Sequence, residues 1–111
     1  MVEVTRGEIV LVTLSGDYGK RRAAVVVQSD LFAPDFASVL VCPLTSDTLP
    51  HSLARIAVEP SPENGLTAAG SLMVDKVAPI PRSRIFRSVG RLDATTLQRL
   101  DASIALMLGV A

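Results

Sequence analysis

The sequence predicts a mainly β domain with a C-terminal α-helix: a small, strongly bent antiparallel sheet, or partly open barrel, with the helix added last. Three observations carry this. Short β-rich apolar runs recur along the chain, separated by Gly-, Pro- and Asp-containing segments. Only the final segment has apolar residues at helical spacing. No internal repeat or low-complexity tract interrupts the pattern, so a single domain spanning 1–111 is expected.

The elements follow in order. "GEIVLVTL" (7–14) reads as a strand buried on at least one face. "SGDYGKRR" (15–22) has loop chemistry, and "AAVVVQ" (23–28) is a second strand, making a hairpin with a long connection. "SDLFAPDF" holds one helical turn started by Ser29 or Asp30 and stopped near Pro34. "ASVLVCPLT" (37–45) is a third strand ending on Pro43, and "SLARIAVEP" (52–60) a fourth, at an edge. "SPENGLTAAG" (61–70) is a turn-rich connection. "SLMVDKVAPI" (71–80) resumes strand character, broken by Pro79 and Pro81, and "RSRIFRSVGRL" is expected to form a short turn or bend. In "DATTLQRLDASIALMLG", Asp93 is a suitable N-cap. Leu97, Leu100, Ile104 and Leu108 recur on one helical face, and Gly109 stops the helix.

Composition narrows the function. Hydrophobic residues make up 49% of the 111, and Trp is absent, so the core is built from Val, Leu, Ile and Ala. Eleven Lys and Arg balance eleven Asp and Glu. This excludes a nonspecific nucleic-acid coat but permits a local basic groove. The single cysteine, Cys42, allows neither an intrachain disulfide nor a multi-Cys metal site and reads as a buried, inert thiol. No metal and no cofactor is expected. The N-terminus lacks a signal-peptide pattern, and no apolar run approaches the roughly 20 residues that span a bilayer. A soluble, cytoplasmic protein with no membrane partner is therefore expected.

"RGEIVLVTL", "RRAAVVVQSD" and "VLVCPLTS", in this order, resemble the MazF/PemK toxins of type II toxin–antitoxin systems. The likeness runs over most of the chain, including the last helix. It implies a dimeric SH3-like barrel that cuts single-stranded RNA without metal and is neutralised by a cognate antitoxin. By position, Arg22 takes the place of the family's loop-end arginine and Thr45 that of its strand-end threonine. Asp75 stands where the PemK branch has an acidic residue. Two departures are visible: Ala23-Ala24 replaces the usual Pro-Val, and Met73 stands where PemK-like proteins tend to carry an arginine. "VVVQSDLFAP" and "IALMLGVA" also resemble the gyrase-poisoning CcdB toxins, which act through a Trp near the C-terminus; this chain has none. The ribonuclease reading leads, with a gyrase poison or an inactive family member as the alternatives.

Metal-free RNA cleavage needs cations or donors on the phosphorane, a proton acceptor and help for the leaving oxygen. Arg22 suits the first task, because a guanidinium offers a rigid fork of donors; it would equally solvate a hairpin end. Thr45 can bond a non-bridging oxygen or simply form a turn. Asp75 is a candidate base, or a surface partner for Lys76 or an Arg. Lys20, Arg21 and Ser46 are read as RNA-attracting loop groups, with Tyr18 and His51 as stacking candidates or plain loop residues. His51 is the only histidine, which excludes a two-histidine acid–base scheme.

Overall fold

The computed structural model describes residues 3–14, 16, 18–32, 36–47 and 52–111. Among these, the apolar runs become β1 (Glu8–Thr13), β2 (Arg21–Val26), β3 (Ser38–Thr45), β4 (Arg55–Val58), β5 (Gly70–Met73), β6 (Ala78–Pro81) and β7 (Ile85–Arg91), followed by α1 (Ala94–Leu108). The strands pair antiparallel in the order β4-β5-β3-β2-β1-β7, and β6 also pairs with β3. The sheet bends strongly without closing. Two register shifts between β1 and β7, at Ile9/Val10 and Leu11/Val12, supply part of the bend.

The near-continuous apolar character of β1, β2 and β3 has a direct cause, because both faces are covered. Ile9, Val25 and Cys42 enter one core with Leu72 and Leu100. Their neighbours Val10, Val26 and Val41 enter a second core with Val39, Ile80 and Ile85. Successive strand residues point to opposite faces, so a strand between two cores has no polar alternation to show. Burial also pushes the Cys42 thiol up to about 12, against smaller lowering effects of the Met73 backbone and Arg55, so it stays protonated at neutral pH.

Three sequence expectations change. The second strand starts at Arg21, because the β1–β2 ladder continues through Val12–Arg22 and Thr13–Arg21; two of the cations expected in the loop belong to the strand. The interruption of "SLMVDKVAPI" falls at a 3₁₀ turn, Val74–Lys76, and not at the prolines. That turn lets the chain use one edge of β3 twice: β5 pairs with Leu44 and Thr45, then β6 with Ser38 to Val41. Pro79 and Pro81 are tolerated in β6 because it pairs on one side only. The segment expected as a bend is a 3₁₀ turn, Arg82–Arg84, followed by a full strand, β7. β7 escapes the pattern because it is an edge strand with a largely exposed, Arg-bearing face.

Other elements form as expected. β4 lies at the edge. A 3₁₀ turn at Asp30–Phe32 follows Ser29, whose hydroxyl accepts from the Leu31 amide at 3.2 Å; its expected stop at Pro34 lies outside the described residues. Asp93 caps α1 by accepting from the Thr96 amide at 3.0 Å, and Gly109 ends it in the left-handed region at φ 75°. Leu100 is fully buried and Leu97 and Ile104 pack on the same core, but Leu108 remains 70% exposed. The buried stripe therefore ends a turn before the helix does. The helix is tied down by an Arg6–Asp101 ion pair and by the Ser103 hydroxyl donating to the Leu53 carbonyl.

Candidate active site

The antiparallel pairing of β2 with β3 brings the start of one strand to the end of the other. Arg22 and Thr45 meet there, and both line a cleft of about 570 Å³. Its floor and walls are apolar, from Leu14, Pro43, Met73, Pro79 and Ile80. Two further cations complete it: Lys76, from the turn between β5 and β6, and Arg84, from the turn before β7. Among the described residues that line it there is neither a carboxylate nor a histidine, so these side chains concentrate positive charge in a protein of zero formal net charge.

The Thr45 hydroxyl oxygen accepts from the Asp47 amide at 3.2 Å. A hydroxyl has one proton to donate besides its lone pairs. The turn-forming role and a donor role toward a bound anion are therefore compatible in one side chain. Arg22 is half-buried in β2 and pairs with Val12 of β1 in the ladder, so its guanidinium projects from a supported backbone.

A second, shallower depression of about 220 Å³ adjoins the first and shares Arg22 and Thr45 with it. Lys20, Arg21 and Ser46 border it, facing residues 66–70 of the β4–β5 connection. Together the two depressions make a groove running over Arg22 and Thr45 with cations along its length. Arg21 also lies with its guanidinium carbon 4.0 Å from the centroid of the Phe86 ring, which holds it in place. Tyr18 is fully exposed in a loop whose backbone turns through left-handed positions at Gly16, Tyr18 and Gly19; it lines neither depression. His51 lies outside the described residues.

Asp75 is not brought to this cleft. It sits in the turn after β5, ion-paired with Arg55 and bordering an apolar groove beside α1. The 3₁₀ turn that sends Lys76 one way sends Asp75 the other. Among the described residues, no three His, Cys, Asp or Glu side chains gather into a set able to hold a metal ion.

A sequence model described as "PemK-like, MazF-like toxin of type II toxin-antitoxin system" matches residues 5–108. The chain belongs to that toxin family. A probable endoribonuclease MazF from Mycolicibacterium smegmatis is 41% identical over 107 residues, covering 96% of this chain and 97% of the relative. The fold is shared more widely. The toxin MazF-mt6 of Mycobacterium tuberculosis superposes with a TM-score of 0.79 at 22% identity, covering 94% of this toxin and 98% of that chain. A MazE–MazF structure from Deinococcus radiodurans gives 0.82 at 18% identity over the full length of both chains. An endoribonuclease in complex with its cognate antitoxin, from a mycobacterial species, gives 0.82 at 19% identity over 98% of each.

Sequence reasoning overlooked Arg84 and weighed Lys76 only as a partner for Asp75. Nothing local marks either residue as belonging to the cleft. They reach it because β6 pairs with β3, a contact between residues about forty positions apart. The one sequence cue is indirect: each cation ends a short turn flanking the proline-bearing β6.

Proposed function

We propose that this chain, an endoribonuclease toxin of the MazF kind, cleaves single-stranded RNA without a metal ion at the cleft where Arg22 and Thr45 meet. The observation that carries the reading is this cleft: three cations and a hydroxyl donor on an apolar floor, open at the surface. In the reaction the 2′-hydroxyl passes its proton to solvent water and its oxygen bonds to the adjacent phosphorus while the bond to the 5′-oxygen breaks. The departing 5′-oxygen takes a proton from solvent water, so the products are a 2′,3′-cyclic phosphate and a 5′-hydroxyl. Arg22 faces the non-bridging oxygens as charge builds on them, and the Thr45 hydroxyl donates to one of them. Lys76 and Arg84 hold the strand's flanking phosphates and raise the positive potential that the phosphorane meets. Lys20, Arg21 and Ser46 carry the strand past the cut.

The toxin acts in the cytoplasm on cellular RNA. Among the described residues no helix is long and apolar enough to cross a membrane. A cognate antitoxin blocks the toxin by laying an acidic, initially disordered segment over the basic groove, folding as it binds. The toxin works as a homodimer, a reading supported by Leu106, Met107 and Val110, which widen the apolar surface of the helix end beyond its core-facing stripe. The gyrase-poison alternative loses its footing in the absence of any Trp and in the family match.

The test is incubation of purified toxin with a long single-stranded RNA in EDTA, with the ends mapped. Cuts at a recurring short sequence are expected, with rates falling ~100- to 1000-fold in Arg22→Ala, the usual effect of losing one oxyanion donor. Intact RNA with folded, growth-inhibiting protein would sink the reading.

A further inference from the structure

The β4–β5 connection has no part in the chemistry above, yet it is built as more than a link. The two strands are antiparallel neighbours paired out to Val58 and Gly70, so residues 59–69 join positions that already face each other. Two to five residues suffice for such a hairpin. The longer connection folds back instead, and residues 66–70 form the outer wall of the depression beside Arg22 and Thr45.

That wall is rigid for three reasons. Asn64 is buried, and its side chain accepts from the amides of Ser61 at 2.9 Å and Leu66 at 3.0 Å while donating to the Glu59 carbonyl at 2.8 Å. The connection is clamped to β7, where the Arg91 amide donates to the Glu63 carbonyl at 2.8 Å. The clamp is a backbone-on-backbone contact, since a Cβ on Gly90 would lie 2.3 Å from the Glu63 carbonyl oxygen. At its far end Gly70 lies against Thr45 itself.

We propose that residues 66–70 are a nucleotide-selecting wall: they receive the base next to the phosphate held by Arg22 and Thr45, and accept or reject it by size and edge. The inference rests on the ribonuclease reading and extends it to specificity. A splayed single-stranded base is recognised by fit and by hydrogen bonds to its edges, which requires a firm surface of small residues within one nucleotide of the cut. Thr67, Ala68 and Ala69 provide such a surface, with a hydroxyl on the first and only methyl groups on the others. Asn64 is a positioning residue for this wall, acting through the backbone it holds.

The experiment compares wild type, Ala68→Leu and Thr67→Ala on a pool of single-stranded RNAs randomised around the wild-type cut site, with all cut sequences counted. The expected result is a change of about 10-fold or more in base preference at one position adjoining the cut, with preferences elsewhere unchanged. Thr67→Ala removes atoms, so it reports even where Ala68→Leu fails to fold. Cleavage that keeps the wild-type profile in both variants, or falls uniformly across all sequences, would overturn the selecting role and leave the ribonuclease reading intact. Wild-type protein that cuts no RNA in the pool would bring down both.

Discussion

Replacing Gly70 by Ala tests how tightly Thr45 must be held. A Cβ built on Gly70 would stand 2.6 Å from the carbonyl oxygen of Thr45 and 3.5 Å from its carbonyl carbon. The obstacle is backbone, so no side chain can swing aside. Regaining an ordinary contact of 3.4 Å needs β5 and the end of β3 to separate by roughly 0.8 Å. Ser71 pairs with Thr45 in the ladder, so that movement is transmitted to a residue that lines the cleft. Overpacking of this kind destabilises by about 1–3 kcal/mol, and the reduced freedom of the unfolded chain returns about 0.4–1 kcal/mol. The fold should survive. Catalysis should suffer more, because a displacement near 1 Å at a reacting centre lowers rates by roughly 100-fold. Single-turnover cleavage of a short RNA carrying the preferred site, run well below the thermal midpoint, measures this directly. A folded Gly70→Ala toxin within about threefold of the wild-type rate would refute the assignment of Thr45 to the reacting phosphate.

Other consequences are open to direct measurement. Lys76→Ala and Arg84→Ala should each weaken RNA binding across all sequences and flatten the slope of log K against log salt by about 0.7, the value for one phosphate contact on a single strand; an unchanged slope would remove that residue from the groove. Asp75→Asn breaks a partly exposed ion pair with Arg55, so it should lower stability by about 1 kcal/mol or less and leave the cleavage rate per folded molecule unchanged. A loss of 100-fold would return Asp75 to the chemistry. The Thr96 amide, which donates to the Asp93 cap, holds that carboxyl below the usual carboxylate range. The cap's contribution is full above the ordinary carboxyl value of ~3.9 and fades as pH falls through the lowered one. Urea midpoints should then place Asp93→Ala about 0.5–2 kcal/mol below wild type at neutral pH, with the gap narrowing in acid. A gap that stays constant down to about pH 2 would contradict an ionised cap.

Much of this molecule is written in near neighbours. The Asp93 cap three residues ahead of the Thr96 amide and the helix stop at Gly109 depend on contacts within a few positions, and the apolar runs that became β1 to β5 show directly in residue order, so each was legible as sequence. The resemblance of "RGEIVLVTL", "RRAAVVVQSD" and "VLVCPLTS" to the family's ordered blocks also pointed to Arg22 and Thr45, which the structure brings together in one cleft.

The rest was decided by pairings between distant segments. β7 looked like a bend because an exposed edge strand has only one face to protect and fills the other with arginines. The prolines of β6 suggested a break, although an edge strand can lack an amide donor on its outer side. Whether Asp75 or Lys76 faced the cleft turned on a single 3₁₀ turn, since adjacent residues in a turn diverge while composition treats them alike. Arg84 joined the site, and residues 66–70 came to face it, only through ladders between strands far apart in the chain. Sequence alone marked the segments that became β1 to β5 and α1, and the family they resemble. The long-range register of β3 with β5 and β6 determined which cations share a surface, because a slip of one residue in a ladder exchanges the two faces of a strand.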